Sequence, residues 1–139
     1  MFDPFMRTLG LEGEIPAPGR ARVWGALRPE HTNSLGSAHG GFLYSMADAA
    51  FALASNSHGA TAVALSTHME YVAPTRPGDL IEATATEAHL GRRAAVYQVE
   101  LRVGETLVAL FTGTVHRLPE RRTPLIPDAM LPPDAPAAR

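Results

Sequence analysis

Between His39 and His58 the chain carries Phe42, Leu43, Met46, Ala47, Ala50, Leu53 and Ala54 at helical spacing, with Ala at five positions of the stretch. That pattern predicts one long α-helix. The opposite face shows Gly41, Tyr44, Ser45, Ala49, Phe51 and Ala52 where a surface helix shows charges, and the only charged side chain before His58 is Asp48. A helix apolar nearly all round has to be covered by the rest of the molecule. The remaining residues must therefore wrap this rod.

The segments after the helix read as strands. Val63, Leu65, Thr67, Met69 and Tyr71 share one face of the first, and Leu80–His89 forms the next after a Pro77-Gly78 turn. Ala95, Tyr97, Val99, Leu101 and Val103 line one face of the third, and Gly104-Glu105 predicts a two-residue hairpin into Leu107, Ala109, Phe111, Gly113 and Val115. Ahead of the helix, Arg20–Leu27 alternates as a strand, while Leu11–Gly19 is broken by Pro16, Pro18 and Gly19. Asp3-Pro4 reads as the N-cap and first position of a short helix carrying Phe5, Met6 and Leu9, a lid or packing arm that Gly10 ends. From Leu118 onward prolines and small residues predict an extended or disordered tail.

The layout is α+β, a long central helix wrapped by an antiparallel sheet. It divides into an arm over 1–19, a domain over 20–118 and a Pro-rich tail over 119–139. One sheet layer cannot cover both sides of the helix, and a sheet edge is left open. A second copy satisfies both, so a homodimer or a dimer of dimers is expected.

Composition removes several kinds of chemistry. The chain has no cysteine, which excludes disulfides, thiolate nucleophiles and sulfur-held zinc. It has no lysine, which excludes Schiff-base catalysis and a lysine-based phosphate loop. A formal net charge of −2 gives no support to a nucleic-acid partner. No apolar run reaches the roughly 20 residues of a membrane span, and Met1–Gly10 lacks the basic start and apolar stretch of a signal peptide, so the cytoplasm is the expected location.

Asp48 is the strongest candidate for chemistry. Tyr44, Ser45, Phe51 and Ala52 are its helical neighbours, so no cation on its own helix neutralises it. Such surroundings raise an acid's pKa and suit a general base. His39-Gly40-Gly41 stands at the helix start, where unpaired backbone N–H groups are offered to an oxyanion. Gly40 and Asp48 are eight residues apart, or about 12 Å of helix rise, too far for one subunit to place both beside one reacting carbon. If both act, the amide of one copy faces the acid of the other.

His31, Asn33 and His39 cluster ahead of the helix and can order the glycine loop or bond a carbonyl. The histidines lack the spacing of a metal site. Arg92 and Arg93, with Arg117, Arg121 and Arg122, offer guanidinium groups for the phosphates of a long anionic ligand.

The run Asn33 to Ala50, with Asn-Ser-Leu-Gly-Ser-Ala-His-Gly-Gly followed by Ser-Met-Ala-Asp-Ala-Ala, resembles the signature of hotdog-fold acyl-CoA thioesterases, especially the phenylacetic acid degradation (PaaI-type) branch. The likeness extends over roughly residues 20 to 118. It implies a hotdog fold paired into tetramers, and hydrolysis of an acyl-CoA thioester, with phenylacetyl-CoA or a related aryl thioester as the expected substrate, to free coenzyme A and an acid. By the same likeness Asp48 is general base or nucleophile, the Gly40 amide polarises the thioester, and Asn33 and His39 support that glycine; Gly41, read from its own place at the helix start, is expected to meet substrate. No cofactor is implied, coenzyme A being part of the substrate. Some relatives place a hydroxyl one turn after the base; here that position is Ala52, which leaves Thr67 as the candidate for orienting water. The other class to be tested is a domain that binds or senses acyl-CoA without turning it over.

Overall fold

A computed structural model of the chain describes residues 3–122. In order, the elements are α1 (Pro4–Thr8), β1 (Glu12–Ala17), β2 (Arg20–Ala26), a 3-10 turn (Pro29–His31), α2 (Gly40–Asn56), β3 (Ala60–Tyr71), β4 (Leu80–Leu90), β5 (Ala94–Val103) and β6 (Thr106–Arg122). The strands form one sheet in the order β1-β2-β4-β5-β6-β3, every neighbouring pair antiparallel. The sheet wraps α2, as the all-apolar helix requires. Among the described residues no helix is long and apolar enough to cross a membrane.

The helix seats closely because both surfaces carry small residues. Ala47, Ala50 and Ala54 meet a sheet face whose own members include Ala21, Ala83, Ala85 and Ala109, all fully buried. Larger side chains fill the gaps: Phe51 packs on Tyr97 with ring centroids 5.9 Å apart and on Phe111 at 5.3 Å. Each such buried ring contributes roughly 1.5–3 kcal/mol through water exclusion. At the helix end Ser57 Oγ donates to Ala54 O at 2.6 Å and accepts from Gly19 N–H at 2.7 Å, so the β1–β2 turn is tied to the helix. Beside it Glu87 accepts from the buried Tyr97 hydroxyl at 2.6 Å and bonds His58 Nε2 at 2.7 Å, joining β4, β5 and the helix terminus.

Three features depart from the expectations of the sequence. The breakers within Leu11–Gly19 predict an irregular stretch, yet Glu12–Ala17 is a strand. It is the sheet's edge, where Pro16 interrupts no ladder on its free side. The prolines predict a tail from Leu118, yet β6 continues to Arg122 because Leu118 and Arg122 pair with Thr61 and Ala60; the rest of that tail lies outside the described residues. The shared face of Val63, Leu65, Thr67, Met69 and Tyr71 is broken by a register shift between Ala64 and Ser66, which leaves Val63 and Leu65 exposed and Thr67 and Met69 half-buried. As a single sheet layer predicts, α2 is not covered all round. One stripe, with Gly41, Ser45, Asp48 and Ala52, stays accessible in the single chain.

Candidate active site

The uncovered stripe of α2 is where the acid sits. Asp48 is exposed, not enclosed as the apolar helix suggests, because the single sheet does not reach this side of the rod. The arm α1 crosses it instead. Asp3, Phe5, Met6 and Leu9 from the arm face Tyr44 and Asp48 across a chamber of about 100 Å³. Water reaches the residue, but enough protein crowds its carboxyl group to raise the pKa above the ordinary carboxylate range. Burial is the larger cause and the negative charge of Asp3 the smaller. Among the described residues no cation pairs with Asp48 and no donor hydrogen-bonds it. Its carboxyl group therefore has no charge partner among the described residues of the single chain.

At the other end of the stripe the helix start is arranged asymmetrically. His39 is the N-cap, and its Nδ1 accepts from Gly41 N–H at 2.9 Å. Gly41, expected from its place at the helix start to meet substrate, thus has its amide already engaged. The Gly40 N–H has no acceptor among the described residues. Gly40 lines a cavity of about 340 Å³ together with Asn33, Ser37, Leu43 and Tyr71. The Tyr71 hydroxyl donates to Gly40 O at 3.1 Å, and a Cβ on Gly40 would stand 3.3 Å from the Tyr71 ring carbon and hydroxyl. Only glycine fits under that ring without displacing it.

The supporting residues act on this loop. Asn33 Oδ1 accepts from Leu35 N–H at 2.9 Å and Ser37 N–H at 3.2 Å, folding the approach to the helix. His31 is buried and stacked on Phe42 at 4.2 Å, and its carbonyl accepts from His39 N–H at 2.8 Å. Burial lowers the His31 pKa, so the ring is neutral. Thr67 bonds the Tyr44 hydroxyl through its Oγ1 and does not itself line the Asp48 chamber, whereas Tyr44 does. Arg92 and Arg93 lie exposed in the β4–β5 turn, away from both cavities, and Arg93 pairs with Glu120 at 3.3 Å.

Two contributors carry no functional signal in the sequence. Tyr71 reads there only as a strand residue, and α1 reads as a lid or packing arm with nothing to tie it to Asp48. Gly40 and Asp48 of one chain open into separate cavities, as their spacing on the helix demands.

Comparison with known proteins identifies the family and the fold. A family model described as the thioesterase superfamily matches residues 35–110. The acyl-coenzyme A thioesterase PaaI of Escherichia coli K12 is 37% identical over 117 residues, covering 84% of this chain and 84% of that protein. A mutant form of the phenylacetic acid degradation protein PaaI from Thermus thermophilus superposes with a TM-score of 0.81 at 55% identity, covering 84% of this chain and all of that one. A Streptococcus mutans UA159 protein solved bound to acetyl CoA superposes at 0.76 with 26% identity, covering 81% and 91%. With more than half its length matched by the family model and its sheet wrapped on one long helix, the chain belongs to the thioesterase superfamily and has the hotdog fold.

Proposed function

We propose that the protein hydrolyses acyl-CoA thioesters, with aryl thioesters of the phenylacetyl-CoA kind as the preferred class. The observation that carries this reading is Asp48, an unpaired carboxylate of raised pKa on the open stripe of an otherwise apolar helix. Water attacks the thioester carbonyl carbon while Asp48 takes its proton, and the oxygen of the tetrahedral intermediate receives the free Gly40 N–H. The carbon–sulfur bond then breaks, and the thiolate of coenzyme A leaves and is protonated. The same residues allow direct attack by the Asp48 carboxylate, which breaks the carbon–sulfur bond, releases the coenzyme A thiolate and leaves a mixed anhydride that water hydrolyses to free acid and Asp48.

Because about 12 Å of helix separates them, the Gly40 amide and Asp48 serve one substrate only if two copies face each other. A homodimer, or a tetramer of two such dimers, then holds two equivalent sites per pair. The exposed Val63 and Leu65 on the open edge strand β3 favour such pairing. Asn33 and His39 shape the donor loop, and Thr67 holds the Tyr44 hydroxyl beside the chamber of Asp48. Exposed Arg92 and Arg93 are the candidates for the coenzyme A phosphates. The PaaI relatives and the neighbour that holds acetyl CoA support the substrate class.

The test is thiol release from a panel of acyl-CoA thioesters. Turnover of phenylacetyl-CoA that disappears in Asp48→Asn, with binding retained, supports the reading. Binding without turnover by the unmutated protein overturns it and leaves an acyl-CoA binding module.

A further inference from the structure

The chamber over Asp48 adjoins a second cavity of about 400 Å³, and the two share Phe5, Leu9 and Ser45. Together they form one groove between α1 and the uncovered stripe of α2, running from His39 and Gly41 at the helix start to Asp48 and Ala52. The arm that walls it is anchored. Asp3 Oδ1 accepts from Met6 N–H at 2.7 Å, Leu11 N–H donates to Met6 O at 2.9 Å, and both Met6 and Leu11 are buried. Phe5, by contrast, is 59% exposed on that anchored arm. A large apolar ring held out on a fixed element beside the candidate base has no structural work in the single chain.

We infer that this groove is the acyl subsite, with Phe5 and Leu9 forming one wall, α2 the other and Asp48 at its inner end. The inference rests on the proposed hydrolase activity and assigns the part of the substrate that the Gly40 and Asp48 reading leaves unplaced. The inner chamber is smaller than the ~150 Å³ that admits a benzene ring in a closed apolar cavity. A short acyl chain fits inside it, while an aryl ring occupies the wider outer part against Phe5. The inner chamber carries two carboxylates, Asp3 and Asp48, and no cation. An acyl group with its own carboxylate, such as succinyl, is repelled there, so the subsite takes uncharged, apolar acyl groups.

The experiment compares kcat/KM for acetyl-, phenylacetyl- and succinyl-CoA in the wild type and in Phe5→Ala, a substitution at an exposed position outside the core. Removing the ring lowers kcat/KM for phenylacetyl-CoA about tenfold or more and lowers it less for acetyl-CoA, whose methyl group meets little of the ring. Phe5→Trp, which narrows the groove, slows phenylacetyl-CoA more than acetyl-CoA. Equal effects on both substrates, no effect on either, or succinyl-CoA used as well as phenylacetyl-CoA overturns the subsite. A wild type inactive on all three overturns the hydrolase reading alone. In that event calorimetry still judges the groove, because phenylacetyl-CoA must bind the wild type more tightly than coenzyme A does, and Phe5→Ala must remove that difference.

Discussion

Replacing Gly40 with alanine tests the donor role most directly, because the structure separates its effect on chemistry from its effect on folding. The new Cβ would stand 3.3 Å from the Tyr71 ring carbon and hydroxyl, a few tenths of an ångström inside ordinary van der Waals contact. Tyr71 is 54% exposed, so its ring can withdraw. Withdrawal lengthens or breaks the 3.1 Å hydrogen bond to Gly40 O, worth about 0.5–1.5 kcal/mol. Alanine in a helix returns roughly 0.5–1 kcal/mol relative to glycine, so net stability changes by less than about 1 kcal/mol. Catalysis has no such offset. Complete loss of an oxyanion donor costs about 10²–10³ in kcat, and a displacement of a few tenths of an ångström forfeits part of that, about 10–100-fold. The assay is single-substrate thiol release beside a thermal melt. Tyr71→Phe, which keeps the ring and removes only the hydrogen bond, should lower kcat about 2–10-fold. Adding Tyr71→Ala to Gly40→Ala relieves the crowding and should recover part of the loss. Full kcat in Gly40→Ala, with an unchanged melt, would show that the Gly40 N–H does not meet the developing oxyanion.

Three more outcomes are expected from the same geometry. The activity of a general base rises as it deprotonates, so the acid limb of kcat/KM should lie above the usual carboxylate range near pH ~4, and Asp3→Asn, which removes one cause of the shift but keeps an oxygen to cap α1, should move that limb to lower pH. A raised native pKa means that folding is opposed once Asp48 ionises, with the loss setting in as pH rises from the unfolded to the folded value. Asp48→Asn should therefore raise the melting temperature at neutral pH while abolishing turnover, and a fall would contradict the crowding of the carboxyl group. Gly113→Ala places a Cβ 2.7 Å from Phe51 and 2.9 Å from Phe111, both buried rings that cannot retreat, and should cost about 1–3 kcal/mol in a urea melt; a neutral result would mean that the helix stands farther from β6 than this close packing requires.

The features legible in the sequence are local in origin. The helix is legible because Phe42, Leu43, Met46 and Leu53 repeat at its own period, and the hairpin at Gly104 because a positive φ of 58° calls for glycine. Asp48 stands out for the same reason, as one charge interrupting a local pattern. β1 is hidden because Pro16 is a breaker in a central strand and harmless on an edge, and edge position is a property of the whole sheet. Tyr71 gives no signal, since its bond to Gly40 crosses 31 positions and depends on where β3 ends. The arm itself is legible as a lid or packing helix, but its placement over Asp48 is not: Phe5 and Leu9 fit a packing helix of any kind, and only the folded chain shows what they pack beside.

These omissions have one physical origin. Periodicity reports which residues avoid water, and it is silent about which part of the molecule does the covering. On α2 the sheet covers most of the helix, the arm covers part of what remains, and the residue left between them is the one that carries charge. If a sheet strand covered Asp48, burial would oppose its ionisation still more and keep substrate out; with no arm, water would surround it and leave its pKa near the usual value. A short helix over an open stripe gives the intermediate case. The carboxylate is crowded enough to hold a proton more tightly, and the wall that crowds it is a separate element, lined with apolar side chains that can meet an acyl group.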